Sequence, residues 1–310
     1  MTWLLWRQHR VQGAISGALM GALSILLVIT GLHMAGTYRT AMAACRADGT
    51  CGNLSLFQGD GAIINLVSLT IVAPLLLGVF WAAPLIGREF ETGMHTLVWT
   101  QSVSRRHWLR SKLLLLIGAT ISCSAVLTIV VTWWAGTFNS LNGDRFQPAR
   151  FEIQGIVPIA YSVFAVSLAV AAGALFRRML PALAVTVFGF AAVRILIDNY
   201  ARPHYLHPLT NSLRLDQGGS IGSGAWVTKE DLTLNGVSVT GAIRAPAGCL
   251  SMTSRATMNS CMSDNGFRRL TTYQPANRYW TFQFIESGIF IALAALLIVA
   301  CVVIVRRRDA

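Results

Sequence analysis

Charge is what this sequence has least of. Asp, Glu, Lys and Arg make up 12% of its 310 residues, against the roughly 25% that covers the surface of a soluble globule. Lysine is represented by Lys112 and Lys229 alone, and the 25 basic residues outnumber the 13 acidic ones. A chain this poor in charge and 54% hydrophobic cannot shield its apolar surface in water, so the bilayer must be its main solvent. Catalytic signatures are missing as well. There is no His-Glu-x-x-His, no glycine-rich phosphate loop with Lys and Ser or Thr, and no Gly-x-Ser-x-Gly, which excludes the usual routes to zinc hydrolysis, ATP binding and serine-nucleophile chemistry on this chain. No catalytic residue and no cofactor is expected here. A basic groove with interleaved aromatics is absent, so the net charge of +12 does not signal nucleic acid. No internal repeat or low-complexity run is present.

What the chain does have is long apolar runs. A hydrocarbon core about 30 Å thick needs roughly 20 apolar residues of helix, and six stretches meet that need: Ala14–Gly36, Gly61–Gly87, Leu113–Phe138, Gln154–Phe176, a fifth from Met179 past Arg194 toward Asp198, and Trp280–Val305, which contains Glu286. The expected fold is an all-α polytopic membrane protein, one transmembrane domain over 1–310. The first run exceeds the 7 to 15 residues of a signal-peptide core and is read as a retained span. Before it, Trp3 and Trp6 beside Arg7 and Arg10 suit an interfacial helix over 1–12, lying flat in the headgroup zone; a cytoplasmic extension of the first span is the alternative.

Six spans put both termini on one side, and the positive-inside rule chooses it. Arg7, Arg10, Arg88, Arg105, Arg106, Arg110, Lys112, Arg177, Arg178 and Arg306 to Arg308 face one way; the short loops on the other side hold Arg39, Arg46, Arg145 and Arg150. Both termini are therefore expected in the cytoplasm. Cysteine placement agrees. Cys45 and Cys51 share one outward loop and Cys249 and Cys261 share the large outward segment, where an oxidising compartment lets disulfides persist; free thiols are the alternative. Cys123 and Cys301 lie within spans and read as packing residues.

The segment 198–279 differs in character, rich in Gly, Ser, Thr and Asn. Leu232, Leu234, Val237 and Val239 alternate with Thr233, Ser238 and Thr240 around Asn235-Gly236, a strong hairpin signal because both central residues must take positive φ. A small outer β-containing insertion between spans five and six follows, and a Cys249–Cys261 bridge would help so small a unit hold its shape.

The loop between spans two and three, 87–112, runs Arg88, Glu89, Phe90, Glu91, Thr92, Gly93, Met94 and on through Leu97, Ser104, Arg105, Leu109 and Lys112. Here the chain resembles permease subunits of the ABC-2 family, the membrane halves of a class of ABC exporters. The match falls on Glu89, Glu91, Gly93, Leu97, Ser104, Arg105, Leu109 and Lys112, and its wording is similar to that of actinobacterial members. Met94 departs from the commoner Thr, and Ser102 and Val103 stand where Pro before Ser-Arg is usual. The resemblance implies a bacterial plasma-membrane exporter made of two permease copies, with spans two and five lining a central cavity. It also implies a separate cytoplasmic ATPase that carries ATP and Mg. Arg88, Glu89, Glu91, Gly93, Ser104 and Arg105 become the ATPase-coupling residues. Physically, Glu89 and Glu91 can start a short helix, and the arginines can meet acidic motor residues or lipid phosphate. An ordinary positive-inside loop is the alternative reading of these residues.

Other polar positions are set against their cost in lipid. Ionised groups inside a span are expensive, about +2.5 to +3.5 kcal/mol at a helix centre, so Arg194 and Glu286, at similar depth by counting along their helices, are expected to form an intramembrane ion pair. Asn65 and Ser68 on span two and Phe188 on span five are candidate substrate-path residues, though helix packing uses the same residue types. His204 and His207 lack a third ligand and are read as a non-metal pair, so no metal site is expected. The orientation is testable by cysteine labelling in intact cells: a membrane-impermeant maleimide should miss a cysteine placed at Ser102 and react with one placed at Ser220, and the reverse pattern would refute the assignment.

Overall fold

The computed structural model describes residues 2–48, 67, 69–82, 105–142, 145–216, 221–222, 224–239, 246–250 and 252–308. Helix α1 spans Thr2–Asp48. A segment of mixed winding follows, with a 3-10 turn Leu69–Val72, α2 Ala73–Leu77 and a π turn Gly78–Ala82. Helices α3 (Arg105–Asn142), α4 (Pro148–Phe151), α5 (Val157–Phe176) and α6 (Met179–Leu196) come next. The last of these continues through a π turn Ile197–Ala201 and a 3-10 turn Arg202–His204. Strands β1 (Leu209–Arg214), β2 (Trp226–Leu234) and β3 (Val237–Ser238), helices α7 (Ala247–Leu250) and α8 (Arg255–Asp264), and β4 (Phe267–Gln274) build the insertion. Helix α9, Tyr279–Arg308, closes the chain.

Among the described residues, five stretches are long and apolar enough to cross a membrane: Met20–Ala47, Arg110–Gly136, Val157–Phe176, Met179–His204 and Ala276–Arg307. The expected second span is represented by the shorter apolar helix Thr70–Phe80, with the residues on either side of 69–82 largely outside the described ones. The N-terminal interfacial helix does not appear as a separate element. Thr2 to Asp48 is one unbroken helix, so Trp3–Arg10 forms its first turns. The reason is local: no proline or glycine stands between Trp3 and Gln12 to interrupt the hydrogen-bond ladder.

The bundle is organised around α5. Its sequence, VPIAYSVFAVSLAVAAGALF, is dominated by Ala, Val, Ser and Gly, and nearly every residue from Val157 to Ala174 is buried. Small side chains let neighbouring backbones come close in a membrane, where packing rather than water exclusion drives association. The contact with the second span shows how close: a Cβ added to Gly78 would stand 2.9 Å from the carbonyl oxygen of Ala165. Arg177 ends α5 in the left-handed region at φ 52, its N–H donating to Gly173 O at 2.9 Å, and the chain returns at once as α6. Large apolar side chains instead cover the outside, among them Ile25, Ile129, Leu180, Phe188 and Leu296. That inversion suits a lipid solvent.

The insertion is a four-stranded antiparallel sheet in the order β1-β4-β2-β3. Its hairpin forms where the Asn-Gly signal stands: Asn235 at φ 51 and Gly236 at φ 86 pair Leu234 with Val237 and Thr233 with Ser238. Cys249 and Cys261 are bridged, with Cα atoms 5.6 Å apart, beside a small core of Met262 and Phe267. Arg214 ties the end of β1 to Asp216 at 3.0 Å and to Asp264 of α8 at 2.7 Å, and its hydrogen bond holds the Asp216 carboxyl down at about 2. Trp226 anchors the sheet to the helices, edge-on to Phe146 at 5.7 Å and to Phe282 of α9 at 6.2 Å.

One side chain makes four hydrogen bonds to the turn between α4 and α5. Gln283 of α9 accepts from the N–H groups of Ile156 (2.9 Å) and Val157 (3.0 Å) and donates to the carbonyls of Phe151 (3.1 Å) and Gln154 (3.2 Å). Gly155 passes beneath it at φ 75, where an added Cβ would lie 2.5 Å from Gln283 Oε1. Gly155→Ala meets both strain in the left-handed region, about 1 to 2 kcal/mol, and overpacking, about 1 to 3 kcal/mol. The expected outcome is a clearly lowered thermal midpoint of the purified full-length chain, while Gly248→Ala, which meets open space, should stay near the wild-type value.

Candidate functional site

At the end of the bundle that bears the sheet, five charged residues from three parts of the chain come together. Glu152 lies in the turn after α4. Arg194 sits near the end of α6, Asp198 and Arg202 follow one turn apart on its irregular continuation, and Glu286 is two turns into α9. Arg202 is the hub, 1% exposed. Its Nε donates to Glu286 Oε2 at 2.8 Å and its Nη2 to Glu286 Oε1 at 2.7 Å, a two-point grip on a carboxylate that is itself fully buried. Nη2 also reaches Glu152 Oε1 at 3.0 Å, Nη1 bonds Asp198 Oδ1, and the guanidinium lies 4.8 Å over the Phe151 ring. Arg194 bonds the other oxygen of Glu152 through Nη2 and stacks over Tyr161 at 4.7 Å.

Glu286 is fully satisfied. A carboxylate offers about four acceptor sites, and here they take two bonds from Arg202, one from the Tyr161 hydroxyl and one from Tyr205 at 3.2 Å. Burial and the nearby Glu286 carboxylate push the Tyr205 hydroxyl well above its usual range, so it stays a proton donor. Taking two ions out of water costs several kcal/mol each, and only full pairing offsets it. The cluster therefore joins the sheet-bearing ends of α5, α6 and α9 through bonds that lose their value if any member is missing.

The expected direct pair between Arg194 and Glu286 is corrected by this geometry. Arg194 pairs with Glu152, Glu286 pairs with Arg202, and the two pairs are joined through Glu152 and Tyr161. Counting along the helices found the right depth but ended span five at Asp198, one turn before Arg202. It also treated Glu152 as part of a loop, whereas Gln283 folds that turn back into the bundle. The missed residues, Glu152, Tyr161, Asp198, Arg202 and Tyr205, left one legible trace: Asp198 and Arg202 are an acid and a base at helical i, i+4 spacing.

The remaining predicted positions fall elsewhere. Arg88, Glu89, Glu91, Gly93 and Ser104 lie outside the described residues, as do Asn65, Ser68 and Cys51; Arg105 opens α3. Cys45 is buried near the end of α1. Phe188 is 75% exposed on the outside of α6 and so lines no cavity among the described residues of a single chain. A groove does run between the second span, α3 and α5, lined by Thr70, Pro74, Ser124, Thr128, Leu127 and Ser162. Three of its hydroxyls are turned to their own helices: Thr70, Ser124 and Ser162 donate to the carbonyls of Val67, Thr120 and Pro158.

Apolar helices wrapped around a small-residue core helix, with a fully paired ionic knot at one end, define a polytopic integral membrane protein of the helical-bundle class. The chain belongs to the ABC-2 membrane transporter related family, whose family model matches residues 17–202. The matched stretch reaches Arg202 and so takes in Glu152, Tyr161, Arg194 and Asp198, while the sheet and α9 with Glu286 lie beyond it. Comparison with curated proteins and with solved structures gives no match.

Removing one partner of a buried pair strands the other, which costs about 3 to 5 kcal/mol, whereas replacing both by apolar groups is often neutral. Arg202→Met is thus expected to lower the thermal midpoint strongly, and R202M combined with E286M to recover most of the loss. A charge swap of Arg194 with Glu286 should not rescue either single variant, because each faces a different partner.

Proposed function

We propose that this chain is the permease subunit of a bacterial ABC exporter in the plasma membrane. It works with a separate cytoplasmic ATPase that carries ATP and Mg, and it moves an amphipathic substrate such as a drug, antibiotic, lipid or peptide. The family match over residues 17–202, which takes in all but the last of the five long apolar spans found among the described residues, is the observation that carries this reading.

Two copies complete the transporter. The chain leaves apolar side chains uncovered on the second span, at Leu76 and Phe80, and on α6, at Val185, Phe188 and Ile195. Those are the spans that the ABC-2 resemblance assigns to a central cavity, and their apolar faces favour an amphipathic cargo. The loop 87–112 joins the second span to α3, so a motor held by Arg88, Glu89, Glu91, Gly93, Ser104 and Arg105 would move both helices together. Each nucleotide state then favours one arrangement of the bundle, which is what alternating access requires. The same reading puts both termini in the cytoplasm. Basic residues at the far end of the bundle, Arg177, Arg178, Arg306 and Arg307, support it, and so does the Cys249–Cys261 bridge at the sheet end.

Purification of the tagged chain from its host should bring down an ABC ATPase. In liposomes the pair should hydrolyse ATP severalfold faster than the ATPase alone, and Glu89→Ala with Glu91→Ala should abolish that stimulation while leaving the bundle folded. A chain that purifies without a motor and leaves ATP hydrolysis unchanged would overturn the assignment.

A further inference from the structure

The second span changes its winding twice between Leu69 and Ala82, from 3-10 to α to π. Within the 3-10 turn, a carbonyl finds its donor three residues ahead. For Ile71 that residue is Pro74, which has no N–H. The carbonyl is satisfied from another helix: Arg194 Nη1 donates to Ile71 O at 2.7 Å. Arg194 is 12% exposed, and its Nη2 is held by Glu152, so the guanidinium is pinned on one side by the charge cluster and grips the backbone of the second span with the other.

We propose that Arg194 is a latch that selects the winding of the second span. Ile71 O has two possible donors: Arg194 when the turn is 3-10, and the N–H of Leu75, four residues ahead, when the turn is α. Each arrangement satisfies Ile71 O, while the α turn sets Pro74 opposite Thr70 O and leaves that carbonyl without a donor. The segment thus has two discrete states, and Arg194 favours the 3-10 one. A 3-10 turn rises about 2.0 Å per residue and an α turn about 1.5 Å. Rewinding Leu69–Val72 therefore shortens the span by about 2 Å. Gly78, pressed against the Ala165 carbonyl, is the close contact about which the span then shifts. The purpose of the latch rests on the transport reading, because this span leads into the coupling loop; the latch itself stands on the geometry.

Hydrogen exchange followed by mass spectrometry on the full-length chain in lipid nanodiscs tests it without any ATPase, so its failure is separable from failure of the transport reading. R194M combined with E152Q removes the side-chain donor at constant net charge. Leu75 should then take over Ile71 O, and its amide should exchange severalfold more slowly, the opposite direction to the faster exchange that loss of two cluster members brings to α5 and α9. Arg194→Lys, which keeps a donor, should hold Leu75 at the wild-type rate. Pro74→Ala leaves the cluster intact and supplies the donor that Thr70 O lacks in the α turn, whereas in the 3-10 turn it only adds a second donor to an Ile71 O that Arg194 already serves. It therefore eases the rewinding, should slow Leu75 exchange too, and serves where the double variant fails to fold. Slower exchange confined to the second span in either variant upholds the latch. Unchanged or faster exchange at Leu75 in both, or slowing shared equally by α5 and α9, overturns it.

Discussion

Arg202 and Glu286 meet where almost no water reaches, and the sheet end of the bundle is arranged around what that meeting demands. A guanidinium and a carboxylate in a low-dielectric interior are tolerable only when each donor and acceptor is occupied. The structure meets the demand with parts that have little else in common: a turn before α5, an irregular extension of α6, two tyrosines and a phenylalanine ring. The π and 3-10 turns after Leu196 follow from it, since they carry Arg202 to the face where Glu286 waits. Gln283, one turn before Glu286 on the same helix, holds the Glu152 turn in reach.

The rest of the bundle obeys a simpler rule. Where helices must approach, as along α5 and at Gly78, the side chains are small; where they face outward, the side chains are large and apolar. In water this would be an inside-out protein. In lipid it is the arrangement that lets backbone and side chains pack without a solvent to drive them together. The family match covers the helical part from residue 17 to 202 and ends ahead of the sheet and α9.

Much of this was legible from the chain alone. Length and hydropathy located the five long spans, and Asn235-Gly236 located the hairpin, because each signal is local and reports a physical need of the few residues that carry it. The Cys249–Cys261 pairing was readable from shared placement. What resisted was tertiary. Arg194 and Glu286 were both marked as charges that needed partners, but the partners depended on how a turn and a helix extension fold back, and no periodicity encodes that. The N-terminal segment is not set apart as a helix of its own: composition suggested a surface-lying piece, while the unbroken ladder from Thr2 to Asp48 carries it along with the first span.

The sheet is joined to the membrane part on two sides, by Trp226 packing on Phe146 and Phe282 and by the direct run of β4 through Pro275 into α9. It has its own crosslink and its own short core. A unit that is stiff in itself and seated so firmly on α9 cannot drift while that helix stays still. Any tilt of the last helix is thus written, enlarged by lever length, into the position of the strands, and a binding protein that seizes those strands holds the helix as well.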